Sequence, residues 1–220
     1  MSEGRLFIGN RRYSSWSLRG WLAVRLAGLD VEELVIPLAG GGDTAAVHAV
    51  SPNGLVPYLE HRGVRVWETI AICEYCAEHE PTLWPADAPA RAHARSIAAE
   101  MHAGFRELRI AMPMNLGRNF AGQRQTEGAR ADIVRIAAIW QDTRARFGAG
   151  GPFLFGAAFG AADAMFAPVV ARLLTYAPPT PADASAYCQA VRAHPLVDDW
   201  YAGAAREPRE WLLPKYENPA

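Results

Sequence analysis

Cysteine is scarce. Three residues in 220, an odd number without framework spacing, argue against a disulfide-stapled secreted domain. An excess of one charge is also missing: 22 basic side chains face 23 acidic ones, and neither sign forms a block. Binding to nucleic acid through a basic face is therefore not expected. Long apolar runs are absent too. The longest uncharged stretch, Phe147 to Ala162, holds five glycines and too few bulky side chains for a bilayer span. Arg5, Arg11 and Arg12 interrupt the start, where a secretory leader would need an apolar core. His48, His61, His79, His93, His102 and His194 show no metal-ligand spacing, so no metal is expected. These absences predict a soluble cytoplasmic protein without nucleic-acid or membrane partners.

Half the residues are apolar, and seven Trp, eight Phe and seven Tyr can fill a sizeable core. The first eighty residues alternate short apolar runs with helical stripes. "RLFIG" (5–9) and "VEELVIPL" (31–38) read as strands, the second stopped or placed at an edge by Pro37. Leu18, Trp21, Leu22, Leu26 and Leu29 make a helical face between them. "LVPYLEHRGVRVWE" (55–68) reads as a hairpin turning at Gly63, and "TIAICEYCAEH" (69–79) as a helix. The order β-α-β-α-β-β-α predicts a mixed sheet covered by helices. Pro81, Pro85 and Pro89 mark a linker. Helices are predicted beyond it over 90–118, 128–147, 160–176, 183–193 and 195–206, with Pro113 kinking or ending the first. The chain thus divides into an α/β unit (1–80), a linker (81–89) and an all-α unit (90–220).

Four motifs have both a structural and a chemical reading. The serines of "RYSSWSLRGW" (12–21) can cap a helix, or one can donate to an anion at the helix's positive end. Val56-Pro57 can be an ordinary strand start, or a cis bond that turns the Val56 backbone toward a peptide ligand. In "WETIAI", Thr69 can cap the next helix, or Thr69 and the helix N–H groups can hold a carboxylate while Glu68 faces an amine. Asp163 stands three residues after Gly160, the spacing of a capping box, and reads as folding chemistry. Cys73 and Cys76 form a CxxC inside the third helix and read as packing residues.

In their order, "YSSWSLR", "NGLVPYLE", "WETIAICEY", the proline-rich linker, "GAADAMFAP" and "HPLVDDWYAGAAREP" resemble a cytosolic glutathione S-transferase of the serine type, zeta- or tau-like, over nearly the whole chain. The resemblance implies an N-terminal thioredoxin-like domain that binds glutathione and a C-terminal helical bundle that contributes an electrophile pocket. It implies conjugation of the glutathione thiolate to small apolar electrophiles, with detoxification as the role. Glutathione serves as co-substrate without a metal, and the protein is a homodimer.

In such serine-type relatives the active serine precedes an arginine by five residues; with Arg19 as that arginine, Ser14 is the catalytic residue. Ser15 and Ser17 compete for this role, and the expected division leaves them to cap the helix. Ser14, Ser15, Val56, Pro57, Glu68 and Thr69 are the glutathione-binding residues the resemblance implies. Trp16, Met112, Met114, Phe120 and Tyr176 are candidate walls for the electrophile. Three positions depart from the family pattern: Leu55 where Lys or Gln is usual, Trp16 where zeta relatives carry cysteine, and Gly160 where Ser or Thr caps. Leu55 leaves the glycyl carboxylate without an assigned partner. Glutathione-dependent isomerisation or peroxide reduction, and a non-catalytic binding module, are the alternatives.

Overall fold

The computed structural model describes residues 2–40 and 42–218. Its first half is built on β1 (Gly4–Gly9), which carries Leu6 and Ile8 into the core. β1 runs parallel to β2 (Val31–Ile36) and antiparallel to β3 (Tyr58–His61). β4 (Val64–Trp67) completes the order β2-β1-β3-β4. The mixed sheet is the one expected, and β2 stops before Pro37 at its edge. Arg62 and Gly63 take φ of 50° and 80°. This two-residue left-handed turn matches the strand twist of a hairpin.

A parallel pair needs a crossover, which α1 (Ser15–Leu26) supplies between β1 and β2. One short turn, α2 (Ala45–His48), precedes β3, and α3 (Thr69–His79) follows β4. Leu18 and Leu22 of α1 share the core with Ile72, Cys73 and Cys76 of α3. Gly20 explains the close approach of α1 to the β3 entry: an added Cβ would lie 2.6 Å from Pro57 Cγ. Burial pushes all three thiols, Cys73, Cys76 and Cys188, well up, so they behave as packing groups.

The second half contains α4 (Ala88–Ala103), α5 (Arg106–Ala111), α6 (Glu127–Phe147), α7 (Ala161–Tyr176), α8 (Ala182–Arg192), α9 (Pro195–Ala205) and the single turn α10 (Pro214–Glu217). The helix predicted over 90–118 is two helices, and the break precedes Pro113. Gly104 ends α4, and Phe105 turns left-handed at φ 59° with its ring buried. Burial of that ring outweighs continuation of the helix through a poor helix former.

Helix α7 is apolar almost all round and buried along nearly its whole length, as a central helix should be. Gly160 precedes it without a capping side chain. Asp163 takes over: its carboxylate accepts from the Gly160 N–H at 3.0 Å, the Leu154 N–H at 3.1 Å and the Tyr187 hydroxyl at 2.9 Å. Arg19 of α1 ties the halves together by donating to the Met165 carbonyl of α7 at 2.7 Å. Between them opens the candidate site.

Candidate functional site

The end of β1 turns through Asn10–Tyr13 into α1, and Ser14 is the N-cap of that helix. Its Oγ accepts from the Ser17 N–H at 3.3 Å and donates to Ser17 Oγ at 2.7 Å. Ser17 Oγ also accepts the Gly9 N–H at 2.9 Å, and the residue is 0% exposed. The expected division of labour is thereby corrected. Ser14 itself caps the helix; Ser17 is an internal brace between β1 and α1, and Ser15 Oγ faces Arg172 at 3.4 Å.

Ser14 and Ser15 border a cavity of about 300 Å³ between the sheet half and the helical half. Trp16, Val56, Arg109, Met114, Arg172 and Tyr216 are among its walls. The Val56–Pro57 bond is cis, and Val56 makes no backbone hydrogen bond among the described residues. Of the candidate walls, Trp16 and Met114 do face the cavity. Phe120 and Tyr176 pack on each other, ring centroids 5.4 Å apart, and Met112 is buried, so these three belong to the core.

Pro57, Glu68 and Thr69 do not line the cavity itself. Pro57 is buried against Gly20, while Glu68 and Thr69 stand at the start of α3. Glu68 has φ 69°, a costly conformation for a residue with a Cβ, and its carboxylate is 47% exposed. Asn53 Nδ2 donates to Glu68 Oε1 at 3.2 Å, linking it to the segment that carries Gly54, Leu55 and Val56 along the cavity. Thr69 is buried with its hydroxyl 3.1 Å from His102 Nδ1.

The sequence reading used Arg19 only to set the serine register and missed Arg109 and Arg172. Arg19 and Arg109 both pack on Trp16, with guanidinium carbons 4.9 and 4.6 Å from its ring centroid. Arg172 donates to the Met112 carbonyl at 2.8 Å, the Pro168 carbonyl at 3.0 Å and Ser15 Oγ. The three meet backbone carbonyls and hydroxyls, and among the described residues none pairs with a carboxylate. Arg19 Nη2 and Arg109 Nη1 are buried without a partner. Burial, reinforced by Arg109, pushes Arg172 down to about 9, which leaves it charged at neutral pH. Burial and the other two arginines lower Arg19, and burial lowers Arg109 against the pull of Asp132. Buried cations with N–H groups left unpartnered favour an anion beside them. A lone arginine within the apolar run "AMFAPVVARLLTY" was the available signal.

The C-terminal segment closes the opposite rim. Glu217 is buried and receives Tyr13 Oη–H at 2.6 Å, Arg118 Nε–H at 2.7 Å and Asn115 Nδ2–H at 3.0 Å. These bonds hold Leu213 and Tyr216 against the cavity, across from Gly40 and Leu38. No described helix is long and apolar enough to cross a membrane.

Residues 13–79 match the family model of the glutathione S-transferase N-terminal domain, and residues 123–212 that of the C-terminal domain. Among curated proteins the chain is similar to a probable maleylacetoacetate isomerase of Caenorhabditis elegans, 30% identical over 131 residues, which cover 55% of this chain and 60% of that relative. Among solved structures it resembles a maleylacetoacetate isomerase from Anaeromyxobacter dehalogenans 2CP-1 with bound glutathione: 26% identity, TM-score 0.66, covering 95% of this chain and 99% of the other. A glutathione transferase homolog from Burkholderia with bound glutathione has 23% identity and TM-score 0.70, covering 93% and 99%. The two domain matches, on the mixed sheet and on the helical half described above, show that the chain belongs to the cytosolic glutathione S-transferase family.

Proposed function

We propose that the protein binds glutathione along the Val56 backbone, stabilises its thiolate at Ser14 and delivers that sulfur to an electrophile in the interdomain cavity. The observation that carries this reading is the position of the Ser14 hydroxyl, at the positive end of α1 and on the wall that Val56 also borders. The Val56 backbone, just before β3 and without a backbone hydrogen bond among the described residues, suits the cysteinyl amide groups of a tripeptide. Glu68, Thr69 and the first N–H groups of α3 suit its γ-glutamyl ammonium and carboxylate. Pro57 and Ser15 support the same site, the first by fixing Val56 and the second from the cavity wall.

The chemistry asked of the protein is modest. A free thiol ionises near about 8.5, and each unit of lowering takes about 1.4 kcal/mol. In the empty site Ser14 donates to Ser17. Bound sulfur offers a better acceptor: the Ser14 proton turns to it and Ser17 O–H turns to Ser14. The chain Gly9 N–H, Ser17, Ser14, sulfur then polarises in one direction, toward the anion. The thiolate attacks the electrophile, a carbon–sulfur bond forms, and the leaving group departs or a proton completes the addition.

A second reading is favoured by one specific observation. Arg109 and Arg172 line the same cavity as Ser14, which suits a co-substrate that carries a carboxylate. A thiolate that adds to an activated carbon–carbon double bond allows rotation about it, and elimination then returns glutathione with the isomerised acid. The relatives named maleylacetoacetate isomerase support this arm. Incubation with glutathione and a panel of neutral halides, carboxylated electrophiles, cis-enoic acids and hydroperoxides separates the readings. Loss of thiol with a thioether product identifies conjugation, and loss of thiol with glutathione disulfide as product identifies peroxide reduction. Isomer formation at constant thiol identifies isomerisation, and binding without turnover of any compound identifies a module. Retention on immobilised glutathione is common to all of these, and its failure removes the whole reading.

We also infer a homodimer in the cytoplasm, divided into 1–80 and 90–220 by the proline-rich segment. Exposed Val64 and Trp67 on β4, with Ile110 and Val134 on the helical half, support self-association. Sedimentation of the purified chain tests it.

A further inference from the structure

His102, on the last turn of α4, points both ring nitrogens at the junction of β4 and α3. Nδ1 lies 3.1 Å from Thr69 Oγ1, and Nε2 lies 3.5 Å from Glu68 Oε2. The Trp16 ring meets it edge-on at 5.2 Å. One histidine of the helical half therefore touches both side chains assigned above to the γ-glutamyl end of glutathione. Sequence spacing gave it no such role.

The partners decide where its protons sit. A neutral imidazole has one N–H, and a carboxylate facing Nε2 favours placing it there. Nδ1 is then a lone pair, and Thr69 must spend its hydroxyl proton on it. In the imidazolium both nitrogens donate. Nδ1–H then points at Thr69 Oγ1, and the hydroxyl proton is released for another acceptor. The added charge also stands beside the start of α3, where the dipole already favours an anion. Glu68 keeps lone pairs for an ammonium while it holds Asn53 and His102, because its carboxylate is 47% exposed.

We propose that His102 is a positioning residue that sets the donor direction of the Thr69 hydroxyl, so that the γ-glutamyl carboxylate of glutathione is held more tightly when the imidazole is protonated. This rests on the assignment of Glu68 and Thr69 to that end of the ligand. The groups facing the ring are Glu68 and Thr69 from the β4–α3 junction, Trp16 and Arg19 from α1 and Arg109 from α5. Burial lowers the pKa of His102 below its ordinary 6.5; Glu68 works against this, and Arg19 and Arg109 add to it. The coupling accordingly acts on the acid side of neutrality.

S-methylglutathione is the appropriate probe, since it has no thiol to titrate. Its Kd for the full chain, measured by calorimetry at about pH 8 and about pH 5, is expected to tighten roughly tenfold or more in acid, the size of one hydrogen bond to a charged group. His102→Gln keeps a donor and an acceptor but has no titration, and Thr69→Val has no hydroxyl to redirect. Both are expected to show the same Kd at the two pH values, within about twofold. A flat wild-type response, or a slope retained in either variant, overturns the proposal. Glu68→Ala separates the two levels. If it leaves binding unchanged, the γ-glutamyl assignment itself is wrong; if it weakens binding while the wild type is pH-independent, only the role of His102 is lost.

Discussion

Ser14 Oγ lies 2.7 Å from Ser17 Oγ, and Ser17 Oγ receives the Gly9 N–H at 2.9 Å. The two serines therefore form one chain of hydroxyls anchored in β1, with only its outer member on the cavity. Ser14→Ala removes both the thiolate donor and a helix cap. kcat/KM is expected to fall by about 10- to 100-fold, and stability by about 1 kcal/mol, measured by denaturant titration beside steady-state kinetics. The sequence reading left helix capping to Ser15 and Ser17; because Ser14 Oγ accepts the Ser17 N–H, the stability cost falls on Ser14.

Ser17→Ala should show the opposite balance. It leaves the buried Gly9 N–H without an acceptor, which costs about 1–3 kcal/mol. Ser14 remains to face the sulfur, so the folded fraction is expected to keep activity within about tenfold of wild type. Thermal melts and kinetics on the same preparation check both halves. A stable Ser17→Ala protein that has lost conjugation would put the wrong serine at the sulfur.

Arg109 and Arg172 stand on the cavity wall, and among the described residues neither forms an ion pair with a carboxylate. Arg109→Met keeps the stem over Trp16 and removes the charge. The expected result is a loss of about tenfold or more in kcat/KM for carboxylated co-substrates, with neutral electrophiles changed less than about twofold. Equal losses for both classes would assign Arg109 to packing.

Asp163 gives a pH-dependent stability term. Burial raises its carboxyl from 3.8 to about 6, against the bonds from Gly160, Leu154 and Tyr187. The folded state holds the proton more tightly than the unfolded chain, so this contribution is complete below the unfolded value and is lost as pH rises through about 6. Asp163→Ala strands three donors and is expected to cost about 3 kcal/mol. Its stability should also fall less steeply than wild type between these two pH values in denaturant titrations. An identical slope would show that Asp163 does not titrate there.

Much of the first half was legible because its signals are local. Pro37 stops β2, Arg62-Gly63 forms the hairpin turn, and the apolar stripe of α1 is visible in "WSLRGWL". Ser14 and Val56 could be brought to one place only through the family resemblance, which the two domain matches support. The long helix was misread because Pro113 looked like the stronger breaker, whereas Gly104 and the buried Phe105 ring had already ended α4. The arginine cluster behind and along the cavity was missed for a different reason. Arg19, Arg109 and Arg172 lie on three helices and converge only after α7 packs on α1. The same is true of His102, whose partners at 68 and 69 are far away in sequence. Tyr216 and Leu213 reach the rim through Glu217 and Tyr13, a contact across most of the chain.

The most direct test is a titration of bound glutathione, following thiolate absorbance against pH in the wild-type complex and in the Ser14→Ala complex at saturating ligand. The sulfur in the wild-type complex is predicted to ionise at least about one unit below the free-thiol value near 8.5, and replacement of Ser14 to return it most of the way. Ionisation at the free value in the wild type, or the same lowered value in both proteins, would contradict the account.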